Sequence, residues 1–172
     1  MGIRLANIVE FDIADSCDGI SISLWTAGCP HRCPGCHNSE LWDGTSFPVV
    51  SKEEILNKLN LLMKKSEIKK NLSILGGEPL IPENVEDLDF IISEFHKSFP
   101  KSSIYLWTGY TLKELKKRKD KHIKNIFKNI NFLIDGRFEI DKKKNLRLRG
   151  SSNQNIYKRS IFGLRKIHSK DF

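Results

Sequence analysis

Three of the four cysteines fall within eight residues, in Gly28-Cys29-Pro30-His31-Arg32-Cys33-Pro34-Gly35-Cys36-His37-Asn38, spaced Cys-x3-Cys-x2-Cys. Cytoplasmic thiols are kept reduced, so thiols this close together point to a metal rather than to disulfides. A structural zinc site closes a tetrahedron with four ligands, commonly from two short-spaced pairs, and this chain has no second pair. Three thiolates in one tight loop can instead hold three corners of a 4Fe–4S cluster, leaving the fourth iron open to a small ligand. Such an iron can bind a substrate and pass it an electron. Zinc remains the alternative, with Cys17, His31 or His37 as fourth ligand. Otherwise Cys17 reads as a spare free thiol.

The other chemically loaded segments are Gly76-Gly77-Glu78-Pro79, Thr108-Gly109-Tyr110 and Asp135-Gly136-Arg137. Each directly follows a short apolar, β-branched run of the kind that forms buried strands: 72–75, 104–107 and 131–134, just as the cysteines follow 20–28. Helical patterns lie between these runs. Ser51 with Glu54, and Thr111 with Glu114, have capping-box spacing. Ile55, Leu59, Leu62 and Met63 share one helix face, and Val85, Leu88, Ile91, Ile92 and Phe95 share another. Ile126, Phe127 and Ile130 continue the pattern before the last strand. Alternating strand and helix implies an α/β fold with a mostly parallel sheet, whose strand-end loops share one edge where ligands bind. A complete eight-stranded barrel needs ~250 residues. The expected fold is therefore an incomplete, open (β/α) barrel with a mostly parallel sheet and helices on the outside.

At 172 residues, with 39% hydrophobic and 29% charged residues, the chain reads as a single domain over 1–172. No apolar run is long enough to cross a bilayer, and the N-terminus lacks the apolar region of a secretory signal, so the expected location is cytoplasmic. The net charge is +8, and after position 140 ten Lys and Arg residues face only Asp141 and Asp171. No aromatics are regularly interleaved with these charges, so the stretch reads as a solvated surface rather than a nucleic-acid site. Residues 158–172 form a basic tail beyond a core of about 5–157.

The cysteine loop resembles that of radical S-adenosylmethionine enzymes. More narrowly, Trp25-Thr26-Ala27-Gly28-Cys29 through Asn38, Gly76-Gly77-Glu78-Pro79-Leu80, Trp107-Thr108-Gly109-Tyr110, Asp135-Gly136-Arg137-Phe138 and Arg149-Gly150-Ser151-Ser152-Asn153-Gln154 are similar to the activating proteins of anaerobic ribonucleoside-triphosphate reductases. This resemblance implies a 4Fe–4S cluster on Cys29, Cys33 and Cys36 and S-adenosyl-L-methionine as cosubstrate. It also implies a one-electron donor such as flavodoxin or ferredoxin. The 5′-deoxyadenosyl radical formed would abstract hydrogen from a glycine of a glycyl-radical partner, the large subunit of anaerobic ribonucleotide reductase.

By the same resemblance Gly35, Cys36 and His37 lie against the adenine, and Gly76, Gly77 and Glu78 receive the amino group of the methionine moiety. Thr108 and Tyr110 are candidates for contact with the ribose or carboxylate, or are simply turn residues. Asp135 and Arg137 read as an ion pair, and Lys142, Lys143 and Lys144 as a docking patch for the partner. Two departures stand out: Ser16-Cys17-Asp18-Gly19-Ile20-Ser21 replaces a Gly-Pro-Gly-Ile-Arg-like stretch, and Gly35 stands where many radical enzymes carry an aromatic residue. The rival functions are a radical enzyme acting on a small molecule or peptide, and a zinc-binding nucleic-acid module.

Overall fold

A computed structural model describes residues 2–168; Lys170 and Asp171 of the basic stretch lie outside the described residues. The elements in chain order are β1 (Ile3–Asp12), β2 (Ile20–Thr26), β3 (Val49–Val50), α1 (Lys52–Lys64), β4 (Lys70–Gly76), α2 (Val85–Ser98), β5 (Ile104–Thr108), α3 (Leu112–Lys117), α4 (Lys121–Asn129), β6 (Phe132–Asp135), β7 (Lys143–Leu146), β8 (Arg149–Ser151), β9 (Asn155–Ser160) and β10 (Gly163–Ile167). Eight strands form one sheet in the order β10-β9-β6-β5-β4-β2-β1-β3, and β7 and β8 make a separate hairpin.

The central strands β2, β4, β5 and β6 run parallel. All four are buried on both faces: β5 and β6 are near-continuous apolar runs, whereas β2 and β4 interleave their aliphatic residues with buried Ser21, Ser23, Lys70, Asn71 and Ser73. Elsewhere the expected architecture is corrected. β1 pairs antiparallel with β2 and β3, and β9 pairs antiparallel with β6 and β10. The sheet is therefore mixed, with more antiparallel than parallel pairings. Among the described residues it does not close, and the four α-helices do not ring a barrel. The physical reason lies in the outer strands. β9 and β10 are Asn-Ile-Tyr-Lys-Arg-Ser and Gly-Leu-Arg-Lys-Ile, and their charges mask a half-buried strand pattern. Residues of the basic stretch thus extend the sheet as a hairpin.

One face of the sheet carries the main core. Ile22, Leu24, Leu72, Ile74, Ile104, Leu106 and Leu133 pack there against Leu59, Ile91, Phe95, Leu115 and Ile126 of the helices. Each fully buried aliphatic side chain contributes roughly 1.5–3 kcal/mol. Ser51 caps α1 by accepting from the Glu54 N–H, and Thr111 with Glu114 forms a complete capping box on α3. The alternate residues, including Tyr105, Phe132 and Ile134, point to the opposite face and pack against Cys17, Trp107 and Leu148. No helix among the described residues is long and apolar enough to cross a membrane.

Candidate metal centre

The cysteine loop leaves the C-terminal end of β2 between two supports. On one side the Ala27 N–H donates to the Arg4 carbonyl at 2.8 Å, Gly28 N–H to Leu41 at 2.8 Å and Cys29 N–H to Trp42 at 3.1 Å. On the other, Gly77 N–H donates to Thr26 and Glu78 N–H to Gly28, both at 2.8 Å. Gly76 has φ of +102°, and a Cβ on Gly77 would lie 2.6 Å from the Gly28 carbonyl oxygen. Only glycines allow this stitch, so the pair is required by the approach of the chain's own backbone just ahead of Cys29.

The three loop cysteines are free and half-buried. They open on a cavity of about 430 Å³ whose wall also includes Gly76, Gly77 and Glu78 from the loop after β4 and Thr108 from the end of β5. His37 stands on the same wall, with Gly136 and Arg137 from the loop after β6. Four segments far apart in sequence thus meet at one sheet edge. Burial pushes the Cys29 thiol above its ordinary pKa, helped by the nearby negative charges of Glu78 and Cys33 and opposed by backbone N–H groups of His31 and Arg32. Burial likewise raises Cys33, with Cys36 adding to the effect. The Phe138 N–H and the Arg137 guanidinium oppose it. The upward shift means that burial outweighs those N–H groups and that cation, so both thiols favour the protonated form until a positive partner binds.

Glu78 is fully buried. Its Oε1 accepts from Thr108 Oγ1 at 2.7 Å and from the Leu80 N–H at 2.9 Å, while Oε2 accepts from the Gly109 N–H at 2.7 Å and meets His31 Nε2 at 2.8 Å. All four lone-pair positions of the carboxylate are thereby taken. What it offers a cationic ligand is its negative charge. Arg137 reaches His31 Nδ1 through Nε at 3.1 Å and Glu114 through both terminal nitrogens at 3.3 Å. The expected Asp135–Arg137 ion pair does not form. Asp135 instead accepts from the Leu112 N–H at 2.6 Å and from Asn155 Nδ2 at 2.8 Å.

Two of the sequence candidates lie off the cavity wall. Tyr110 turns its ring edge-on to His31, with centroids 4.4 Å apart, and lines a neighbouring cleft with Cys29 and Pro30. Gly35 packs against Ile140, whose Cδ1 lies 2.7 Å from where a Cβ would stand. Cys17 sits apart from the loop, its Sγ 3.0 Å from the Tyr105 hydroxyl.

Sequence reasoning gave no role to Asp15 and Trp25, which also line the cavity, nor to the Arg149-to-Gln154 stretch. Gln154 Nε2 donates to the Gly136 carbonyl and Asn153 Nδ2 to that of Arg137, at 2.9 and 2.8 Å. This stretch therefore fixes the loop that presents Arg137. The only sequence signal for it was the family-like motif itself. Among the described residues no three His, Cys, Asp or Glu side chains converge closely enough to enclose a single metal ion.

A family model described as a 4Fe-4S single cluster domain matches residues 16–157. The anaerobic ribonucleoside-triphosphate reductase-activating protein of Escherichia coli strain K12 is 36% identical over 143 residues, covering 81% of this chain and 88% of that protein. Its counterpart in Pasteurella multocida is 38% identical over 146 residues, covering 82% and 89%. The protein of the same name from Enterobacteria phage T4 is 31% identical over 157 residues, covering 87% and 94%. With a cluster-domain match across most of its length and relatives this similar over most of both chains, the chain belongs to the anaerobic ribonucleoside-triphosphate reductase-activating protein family.

Proposed function

We propose that the chain is a radical S-adenosylmethionine activase that installs a glycyl radical on the large subunit of anaerobic ribonucleotide reductase. The observation that carries this reading is that three free thiols of one loop share a cavity with the ends of three other strand-following loops. The donor set fits a 4Fe–4S cluster held at three corners by Cys29, Cys33 and Cys36. It fits zinc poorly. A single ion needs ligands gathered at one point, but among the described residues no three His, Cys, Asp or Glu side chains, His37 included, converge in that way; His31 also has both ring nitrogens engaged, and Cys17 lies elsewhere. A cubane spreads its thiolates more widely.

Held by Cys29, Cys33 and Cys36, such a cluster would supply one-electron reductive cleavage of S-adenosylmethionine to methionine and a 5′-deoxyadenosyl radical able to take a hydrogen atom from the partner's glycine. The chain's own residues place and shelter the reactants. Gly76 and Gly77 bring backbone close to the cavity, and Glu78 puts a negative charge behind it to suit an ammonium group. Trp25, Leu75, Phe138 and Leu148 supply apolar wall that excludes water. A volume of about 430 Å³ is in the range of small-molecule sites. Hydrogen-atom transfer requires no acid or base, so no side chain is assigned that part. The electron comes from a one-electron carrier such as flavodoxin or ferredoxin.

The test is anaerobic incubation of the reconstituted chain with reductant, S-adenosylmethionine and the reductase. A glycyl-radical signal on the reductase, formed together with 5′-deoxyadenosine, is expected. Formation of 5′-deoxyadenosine without any partner radical would instead favour a small-molecule or peptide substrate.

A further inference from the structure

His31 lies in the three-residue gap between Cys29 and Cys33, and its side chain is 5% exposed. Both ring nitrogens are occupied by groups from other loops. Arg137 Nε can only donate, so Nδ1 accepts from it at 3.1 Å; Nε2 therefore carries the ring hydrogen and donates to Glu78 at 2.8 Å. The ring lies flush on Gly109, where an added Cβ would fall 2.3 Å from His31 Cδ2. Tyr110 closes it edge-on at 4.4 Å, and the Arg118 guanidinium in turn stacks on Tyr110 at 4.0 Å. One imidazole thus ties the cysteine loop to the loops after β4, β5 and β6.

We infer that His31 is a positioning residue, which holds the Cys29–Cys33 segment against the sheet edge so that its thiols are in place before metal arrives. This rests on the cluster reading above. Neither nitrogen is free to ligate, so the residue acts through the loop rather than on the metal. Its bonds to a buried carboxylate and a guanidinium fix the ring in the way that outer-shell partners fix metal ligands. Gly109 belongs to the same device, since any side chain there would drive the ring out.

The test compares the anaerobically reconstituted parent with His31→Ala, His31→Gln and Gly109→Ala. Iron and sulfide per chain and the rate of iron loss to a ferrous chelator are measured, and circular dichroism reports the fold. His31→Ala and Gly109→Ala are expected to lose iron about tenfold faster than the parent. Because both act on one contact, the double variant should be no worse than either single one. His31→Gln keeps an N–H that can reach Glu78 but gives up the bond to Arg137, and an intermediate rate is expected. Equal rates for the parent and all folded variants would overturn the inference, as would independent, multiplying effects of His31→Ala and Gly109→Ala. If His31→Ala does not fold, the comparison of His31→Gln with the parent decides in the same way. A parent that takes up no iron or sulfide would sink the cluster reading itself, and this inference with it.

Discussion

Replacing Gly77 with alanine tests whether the glycine pair serves the chain's own backbone. The new Cβ would stand 2.6 Å from the Gly28 carbonyl oxygen and 3.1 Å from the Gly28 carbon and nitrogen. That is about 0.8 Å short of ordinary van der Waals contact, and the atoms it meets are backbone, which cannot rotate away. Relief requires β4's end and the root of the cysteine loop to separate. Overpacking of this kind costs about 1–3 kcal/mol. Separation also weakens the 2.8 Å bond from the Glu78 N–H to Gly28, worth about 1 kcal/mol. The total expected loss is about 2–4 kcal/mol, measured by urea denaturation of the metal-free chain. Because Gly28 directly precedes Cys29, reconstituted iron per chain should fall as well. A loss below about 0.5 kcal/mol with full iron content would show that the backbone approach is not tight in solution, and the reasoning would fail.

Three further outcomes follow from the same geometry. Cys33→Ser should abolish stable cluster loading, whereas Cys17→Ser, placed away from the loop against Tyr105, should leave iron content at the parental level; iron analysis after reconstitution separates the two. Thr111→Ala removes one half of the α3 capping box and should cost about 1 kcal/mol in thermal or urea unfolding. Asp15 is pushed up to about 7, first by burial and then by the adjacent Asp12, so the folded state holds a proton that the unfolded chain releases near pH 4. Its contribution is therefore complete at acid pH and lost as pH rises from about 4 to 7. Asp15→Asn should flatten that decline and stabilise the chain at pH 8 by roughly 1–2 kcal/mol, after discounting for partial exposure. Unfolding curves at several pH values check it.

The central strands and three helical stretches were legible because their signals are local, whereas the break that divides the third stretch into α3 and α4 was not. Apolar runs ending in glycine marked β4 and β6, and Ser51, Thr111 and the spacing of Leu88, Ile91 and Phe95 marked the helices. The sheet's edges were not legible. β1 mixes Arg4, Asn7 and Glu10 into a half-buried strand, and β9 and β10 carry charges that imitate a solvated tail. Their antiparallel pairing is set by long-range register, which no local window contains. At the candidate metal centre, residue type and spacing singled out the three cysteines and the loops that share their cavity. Partner choice was hidden. Glu78 spends its lone pairs on Thr108, Gly109, Leu80 and His31, and Arg137 chooses His31 and Glu114 over Asp135, because those choices depend on which groups a fold brings within hydrogen-bond reach.

The central claim is an iron with no protein ligand, open to S-adenosylmethionine, in a cluster held by Cys29, Cys33 and Cys36. Electron paramagnetic resonance of the anaerobically reconstituted and reduced chain, recorded before and after adding S-adenosylmethionine, tests it most directly. The expected result is a reduced 4Fe–4S signal whose g values shift when S-adenosylmethionine binds. An identical spectrum with and without it, or a colourless chain carrying zinc, would contradict the claim.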